Sequence, residues 1–433
     1  MNLCVYEDPD VRRFGPHAFL RPVFALRCGA FTLIEKLVRA FPELPLVLTV
    51  RPELEEITRT LYPTAQVGKP PDEETLFVNG RLCTTDDEVL HFLAASPSEA
   101  SYMAGGTLFA AKVSAKRVGH AARWLKDGDP ERAFEEIRVP AEVNAFLARS
   151  AADLIRWSPR QIVQDFRNAF APQTVRGKVD EGVHVLQPEA VHVARGARVM
   201  AGAVLNAEGG PILIRENSVI EPLAYVEGPA VIGEGSRVKA GAAVRGGSSI
   251  GPVGRVGGEV DATVFQGYGN KQHDGFVGHS FVGEWVNLGA GTITSDLKNN
   301  YSNVRQFRSA KEWLERRGEE TGQRLLGLTV GDFTKTGIGA TFPTGAVVGI
   351  GCNVYGTALM PAYIPSFVWG QPGGFAEHRV EAVIETAARA MERRNVELSV
   401  ALDSRIREAF DETREDRALF LESQTKAAEG SRA

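Results

Sequence analysis

Two hydrophobic rhythms divide this chain. Up to about residue 170, short apolar runs at 3–6, 46–50 and 75–78 alternate with amphipathic stretches at 32–40 and 88–95. That alternation predicts an α/β domain of buried strands and surface helices. Pro42 and Pro45 part the first helix from the next strand, and residues 140–170 read as a helical linker. From about 183 to 369 the rhythm changes to six. Ile232, Val238, Val244 and Ile250 are each six apart, and Ile338, Val348, Ile350 and Val354 carry a rougher continuation. An aliphatic at every sixth position followed by a small residue predicts a hexapeptide β-helix, with about eighteen residues per three-sided coil. A sandwich of short strands would need alternation of period two.

Two segments break the second rhythm. Residues 299–326 are charged and partly helical by pattern, and read either as the rim of a functional surface or as a solvated arm. Residues 377–433 place Val380, Val383, Ile384, Ala387 and Met391 at helical spacing. They predict one or two helices, packed across subunits or ending in a polar tail. The expected organisation is therefore 1–170, 183–375 with its insertion at 299–326, and 377–433.

Composition narrows the setting. At 433 residues the chain is long enough for two or three domains, and 43 % hydrophobic with 24 % charged residues is ordinary for a soluble protein. Its apolar runs fall far short of the ~20 residues of a membrane span. The N-terminus has acidic residues where a signal peptide would be basic. The scattered cysteines (Cys4, Cys28, Cys83, Cys352) form no CxxC pair, which fits a cytoplasmic protein without disulfides or a cysteine-zinc site. A net charge of -5 offers no surplus for non-specific nucleic-acid binding.

The most informative stretch is GYGNKQHDGFVGHSFVGEWVNLGAGTIT, starting at Gly267. A histidine titrating near neutrality suits proton removal from an amine that attacks a thioester. Asn287 could hold a sugar, with backbone N–H groups such as those around Gly289 and Ala290 receiving the oxyanion. Lys271, Lys298, Lys335 and Arg245 are candidate partners for phosphate, against a plain solvent-facing role. For His273 the competing reading is a structural histidine in the coil.

This stretch resembles the acetyltransferase domain of the bifunctional bacterial N-acetylglucosamine-1-phosphate uridyltransferase / glucosamine-1-phosphate acetyltransferase family. There a histidine opens a coil and, fourteen residues on, an asparagine begins N-[IL]-G-A-G-T-I-T; His273 and Asn287 match that spacing. The resemblance implies a left-handed coil, His273 as catalytic base and acetyl-CoA as co-substrate. It also implies an amino-sugar phosphate as acceptor, trimers with shared sites, and a place in UDP-N-acetylglucosamine biosynthesis. Three departures stand out. Phe276 replaces the tyrosine three residues after the histidine, Asp261 replaces the phosphate-gripping lysine twelve residues before it, and Asp296-Leu297 replaces asparagine-tyrosine after GAGTIT. His279 stands where the family usually has aspartate.

The first 90 residues resemble the nucleotidyltransferase half of the same family more loosely, and a branch of it with a short N-domain more closely. The LRPVFALRCGAFTLIEKL segment resembles the family's R-P-L-T…P-L-I-E, with Arg21, Arg27 and Lys36 as its cations. The strand ending in Asn79-Gly80-Arg81 resembles one ending in N-G-D, whose aspartate holds Mg2+. A guanidinium cannot replace that ligand, because it stays protonated and repels the ion. Asp86 or Asp87 could substitute if the loop folds back. There is no Gly-rich phosphate loop after the first strand.

The expectation is a transferase moving acetyl from acetyl-CoA to an amino-sugar 1-phosphate, with nucleotidyl transfer from a nucleoside triphosphate as a second step. The alternative is a trimeric sugar-nucleotide-binding or regulatory protein with an inactive N-terminal domain. A metal hydrolyase of the carbonic-anhydrase type would need three converging histidines. His273 and His279, six apart, fall on adjacent sides of the coil.

Overall fold

The computed structural model describes all residues other than 84–86, 136, 171–173 and 431–433; at 87, 88, 91, 138–142 and 427–430 only the backbone is described. The chain divides into two compact units, Met1–Asp153 and Leu154–Ala433.

In the first unit every residue of the strand Asn2–Tyr6 is buried, as expected of a parallel strand covered on both faces. It pairs with Leu46–Thr49 on one side and Thr75–Asn79 on the other, both parallel. The sheet therefore reverses its direction of growth beside this strand, and Glu7-Asp8-Pro9-Asp10 sit at its carboxyl end. In open α/β sheets that crevice is where ligands bind. The helix Leu33–Ala40 starts at a capping box: the Thr32 hydroxyl accepts from the Glu35 N–H, and the Glu35 carboxylate from the Thr32 N–H at 2.7 Å. The expected helix over 140–170 is corrected at its start. Residues 138–142 form a strand beside Ala100–Ala104, and the helix runs Ala151–Ala169.

The second unit is a coil of short parallel strands on three faces. Face I runs from Val191–Val193 to Tyr363–Ile364, face II from Lys178–Val179 to Asn270–Lys271 and on through Asn287 and Lys335, and face III from His184–Leu186 to Phe276–Gly278. Ile232, Val238, Val244 and Ile250 fall on faces I, II, III and I in turn, all fully buried in one column. Each such aliphatic contributes about 1.5–3 kcal/mol by leaving water. Ile338 is the exception: it turns outward at a corner and is 78 % exposed, because its neighbours Gly337 and Gly339 make the turn there. The corners between faces I and II take left-handed backbone even at large residues, including Tyr268, Trp285 and Phe333.

The 299–326 insertion forms an antiparallel pair, Arg305–Gln306 with Glu319–Glu320, and the helix Ala310–Leu314. It docks on the C-terminal segment rather than standing in solvent. Trp313 meets Phe420 at 5.5 Å, and Asp416 accepts from both the Ala310 N–H and the Tyr363 hydroxyl at 2.6 Å. That segment holds three helices, Val380–Glu392, Val400–Glu412 and Arg414–Gly430, where one or two were expected. Phe420, fully buried, joins the core of the coil.

Candidate functional site

At the crevice of the first unit the Asn79-Gly80-Arg81 turn meets Asp8. The Arg81 guanidinium, 1 % exposed, donates Nε–H to Asp8 Oδ1 at 2.8 Å and Nη2–H to Asp8 Oδ2. It also reaches Asp10 at 3.2 Å and the Ala148 carbonyl at 3.0 Å. Asn79 completes the lock, donating Nδ2–H to Asp8 at 2.7 Å and accepting from the Arg81 N–H. Gly80 is obligatory, since a Cβ there would lie 2.9 Å from the Phe24 ring and 3.1 Å from the Tyr6 carbonyl.

This donor set does not fit Mg2+. Both Asp8 oxygens already accept from Arg81, and among the described residues no three acidic, His or Cys side chains converge on one point. Asp86 lies outside the described residues, and so does the side chain of Asp87, which begins the helix Asp87–Ala95. Arg21, Arg27 and Lys36, expected to face a nucleotide, are all buried; Arg27 donates to the Ala30 carbonyl at 2.7 Å. Burial and the nearby Arg21 push the His17 imidazole down to about 3.

On the coil, the expected site residues separate into three groups. Asn287 and Lys335 lie on face II, in a cleft of about 460 Å3. His273, Gly289 and Ala290 lie where faces II and III meet. His273 is exposed there, and its corner stacks on the next coil through the Gly291 N–H to the Asp274 carbonyl at 2.9 Å. Phe276, Arg245 and Asp296 lie on or beside face III. Arg245 sits 5.3 Å from the Tyr225 ring centroid and 3.3 Å from Glu259.

Two expectations are corrected. Lys271, a candidate phosphate partner, points into the coil at 1 % exposure, where its ammonium donates to the Gly257 and His273 carbonyls. Burial without a counter-charge in contact pulls it down to about 8. The Gly289 N–H, a candidate oxyanion donor, is committed to the Thr336 hydroxyl at 2.9 Å.

Three features were missed from the sequence. The first is a pair: His279 Nδ1 lies 2.8 Å from Asp296 Oδ2. A carboxylate only accepts, so the proton sits on Nδ1 and Nε2 is left as the base. Gly278 makes room for this pair, since a Cβ there would meet Asp296 and the Phe276 ring, both at 2.4 Å. Burial raises the nearby Asp261 carboxyl above its usual range, and His279 opposes the rise. The second is an aromatic ladder along the corners of faces I and II. Tyr268 stacks on Trp285 at 4.2 Å and 16°, and Trp285 lies near-parallel to Phe333 at 6.5 Å. The third is the far wall of the cleft, made by Arg389, Arg393 and Arg394 of the C-terminal segment. The first two could have been found by coil arithmetic, since both pairs are seventeen residues apart, about one coil.

Comparison with known proteins gives the first unit a likeness: residues 3–171 match the model of a sugar nucleotidyl transferase family. A stretch of 108 residues is 33 % identical to the bifunctional protein GlmU of Methanocaldococcus jannaschii, covering 25 % of this chain and 25 % of that protein. The match thus spans about a quarter of the relative's length. Among solved structures, Arabidopsis UDP-N-acetylglucosamine acyltransferase aligns over 56 % of this chain and 92 % of its own, at 14 % identity and a TM-score of 0.23. GDP-perosamine N-acetyl transferase from Caulobacter crescentus, solved with CoA and GDP-perosamine, aligns over 87 % and 96 % at 10 % identity and a TM-score of 0.12. At such scores neither likeness bears on what this chain does. No helix among the described residues is long and apolar enough to cross a membrane.

Proposed function

We propose that the coil transfers an acetyl group from acetyl-CoA to the amine of an amino-sugar 1-phosphate. The amine attacks the thioester carbonyl, a base takes its proton, and the coenzyme A thiolate leaves and is protonated. The observation that carries this reading is one of register. Asn270, Asn287 and Lys335 stack on three consecutive coils of face II and line the cleft with Gln272, and the exposed His273 is the next residue in the chain. A base beside a cleft with amide and cationic groups is what acyl transfer to a phosphorylated amine needs.

His273 is the proposed base. The His279–Asp296 pair supports a second assignment of the same role, because its carboxylate fixes the tautomer as a base requires. We extend the proposal to a homotrimer. Leu223 and Ile338, 72 % and 78 % exposed, project from the corner between faces II and III, where a neighbouring copy would cover them. For the first unit, the Arg81–Asp8 lock argues against metal-dependent nucleotidyl transfer, because the carboxylate is already taken by the guanidinium.

The test is thiol release from acetyl-CoA with a panel of amino-sugar 1-phosphates. Wild type should release coenzyme A, and His273→Ala should lose at least about a hundredfold in rate. Loss confined to His279→Ala would move the base to the His279–Asp296 pair. No release by the wild type with any acceptor would end the acetyl-transfer reading.

A further inference from the structure

The cleft on face II gathers more positive charge than its own carboxylates answer. Arg389 is paired with Glu385 one helical turn away. Arg393 and Arg394, at the end of the same helix, have no ion-pair partner among the described residues. Arg394 lies close enough to Arg255 to lower its pKa, after burial and together with Arg237. On the coil side, the Lys335 ammonium donates to the Trp285 carbonyl and has no ion-pair partner among the described residues, and burial pulls it down to about 8. A helix C-terminus attracts cations through its dipole, which accounts for arginines near residue 393. It does not account for Lys335, which belongs to the coil.

The polar floor is also incomplete. Asn270 donates through Nδ2 to the Asn287 carbonyl oxygen, while its own Oδ1 is buried without a hydrogen-bond partner. A buried acceptor left open is unfavourable until a donor reaches it. Beside it stands the half-buried ring of Tyr268, backed by the buried Trp285 on which it stacks. Unanswered cations on two walls, an open amide acceptor and an aromatic surface together describe a ligand: a diphosphate ester attached to a planar, hydrogen-bonding ring system.

We infer that this cleft binds the diphosphate of a nucleotide-type ligand, with Arg393 and Arg394 gripping the phosphates from the C-terminal helix and Lys335 from the coil. Coenzyme A and a nucleoside-diphosphate sugar share this chemistry. The inference deepens the acetyl-transfer proposal by giving its site a phosphate clamp, but binding can be measured without turnover.

Calorimetric titration of the full chain with coenzyme A, UDP-N-acetylglucosamine, UDP and glucosamine 1-phosphate provides the test. At least one diphosphate should bind, and glucosamine 1-phosphate should bind about tenfold or more weakly than it. The Arg393→Ala/Arg394→Ala double variant should weaken the diphosphate about tenfold or more and flatten its salt dependence. Asn270→Ala, on the opposite wall, should weaken it without touching the helix. Arginine-dependent binding of coenzyme A alone assigns the donor, and of the UDP compounds alone a nucleotide sugar; either supports the inference. Diphosphate binding that ignores both variants belongs elsewhere in the chain and overturns it, as does no binding of any diphosphate. Intact arginine-dependent binding with no acetyl transfer would sink the proposed reaction while leaving the clamp standing.

Discussion

The crevice of the first unit and the cleft on the coil both hold arginine in polar surroundings, yet they handle its charge in opposite ways. At the crevice, Arg81 is closed on itself: Asp8 takes two of its N–H groups, Asp10 a third contact, and a backbone carbonyl another. At the cleft, Arg393, Arg394 and Lys335 face an opening with no carboxylate in contact among the described residues. A closed pair satisfies its charge within the fold and leaves nothing over for a ligand. An open cluster stores repulsion that an anion can relieve. The difference identifies which of two similar-looking basic positions is built for binding.

That contrast predicts opposite consequences of deleting a cation. Arg81→Ala strands a buried carboxylate, and should destabilise the first unit by about 3–5 kcal/mol in urea denaturation followed by a probe in that unit. A loss below about 1 kcal/mol would mean that the Asp8–Arg81 pair is not closed as described.

Lys335→Met removes the ammonium of a half-buried lysine with no counter-charge in contact among the described residues, and should stabilise the ligand-free coil at neutral pH by on the order of 1–3 kcal/mol. The pH dependence carries the same sign. Lys271 and Lys335 have folded-state values near 8, below the ordinary lysine value of 10.5, so the unfolded chain holds more protons between these limits. Stability should therefore rise from about pH 8 to 10.5, and Lys335→Met should remove part of that rise, leaving the share of Lys271. A flat profile in the wild type would break the argument for both lysines.

Asp416→Ala leaves the Ala310 N–H and the Tyr363 hydroxyl without their shared acceptor, and should cost about 1–2 kcal/mol with earlier proteolysis of the 299–326 arm. Unchanged proteolysis would show that the arm is held by Trp313 and Phe420 alone. The smallest effect belongs to Ile338→Ser, within about 0.5 kcal/mol for an isolated chain. A larger loss, accompanied by a fall in the sedimentation mass, would show that a second copy covers that corner.

The sequence alone determined the repeating architecture. Ile232, Val238, Val244 and Ile250 sit at a spacing that only a three-sided coil converts into one continuous column, so burial of each follows from its position. It also determined that Arg81 could not serve as a metal ligand, because that follows from the chemistry of a guanidinium. Coil arithmetic would have reached His279 with Asp296 and Tyr268 with Trp285, since partners one coil apart in sequence are stacked neighbours in space. It could not reach the direction of Ile338, whose outward turn depends on local corner geometry. The same period reaches Lys271, six residues from both Phe265 and Val277, although by residue type alone it reads as a solvent-facing cation.

The charge balance of both sites was decided by tertiary structure. Asp8 and Arg81 are 73 residues apart and meet because parallel strands bring their carboxyl ends to one crevice. Arg393 and Arg394 line one cleft with Lys335 because the helix Val380–Glu392 folds back against the coil. Local pattern fixes which residues are buried, since burial follows the period of the backbone. Which charges meet, and whether they cancel, depends on elements distant in the chain and is settled by how those elements pack.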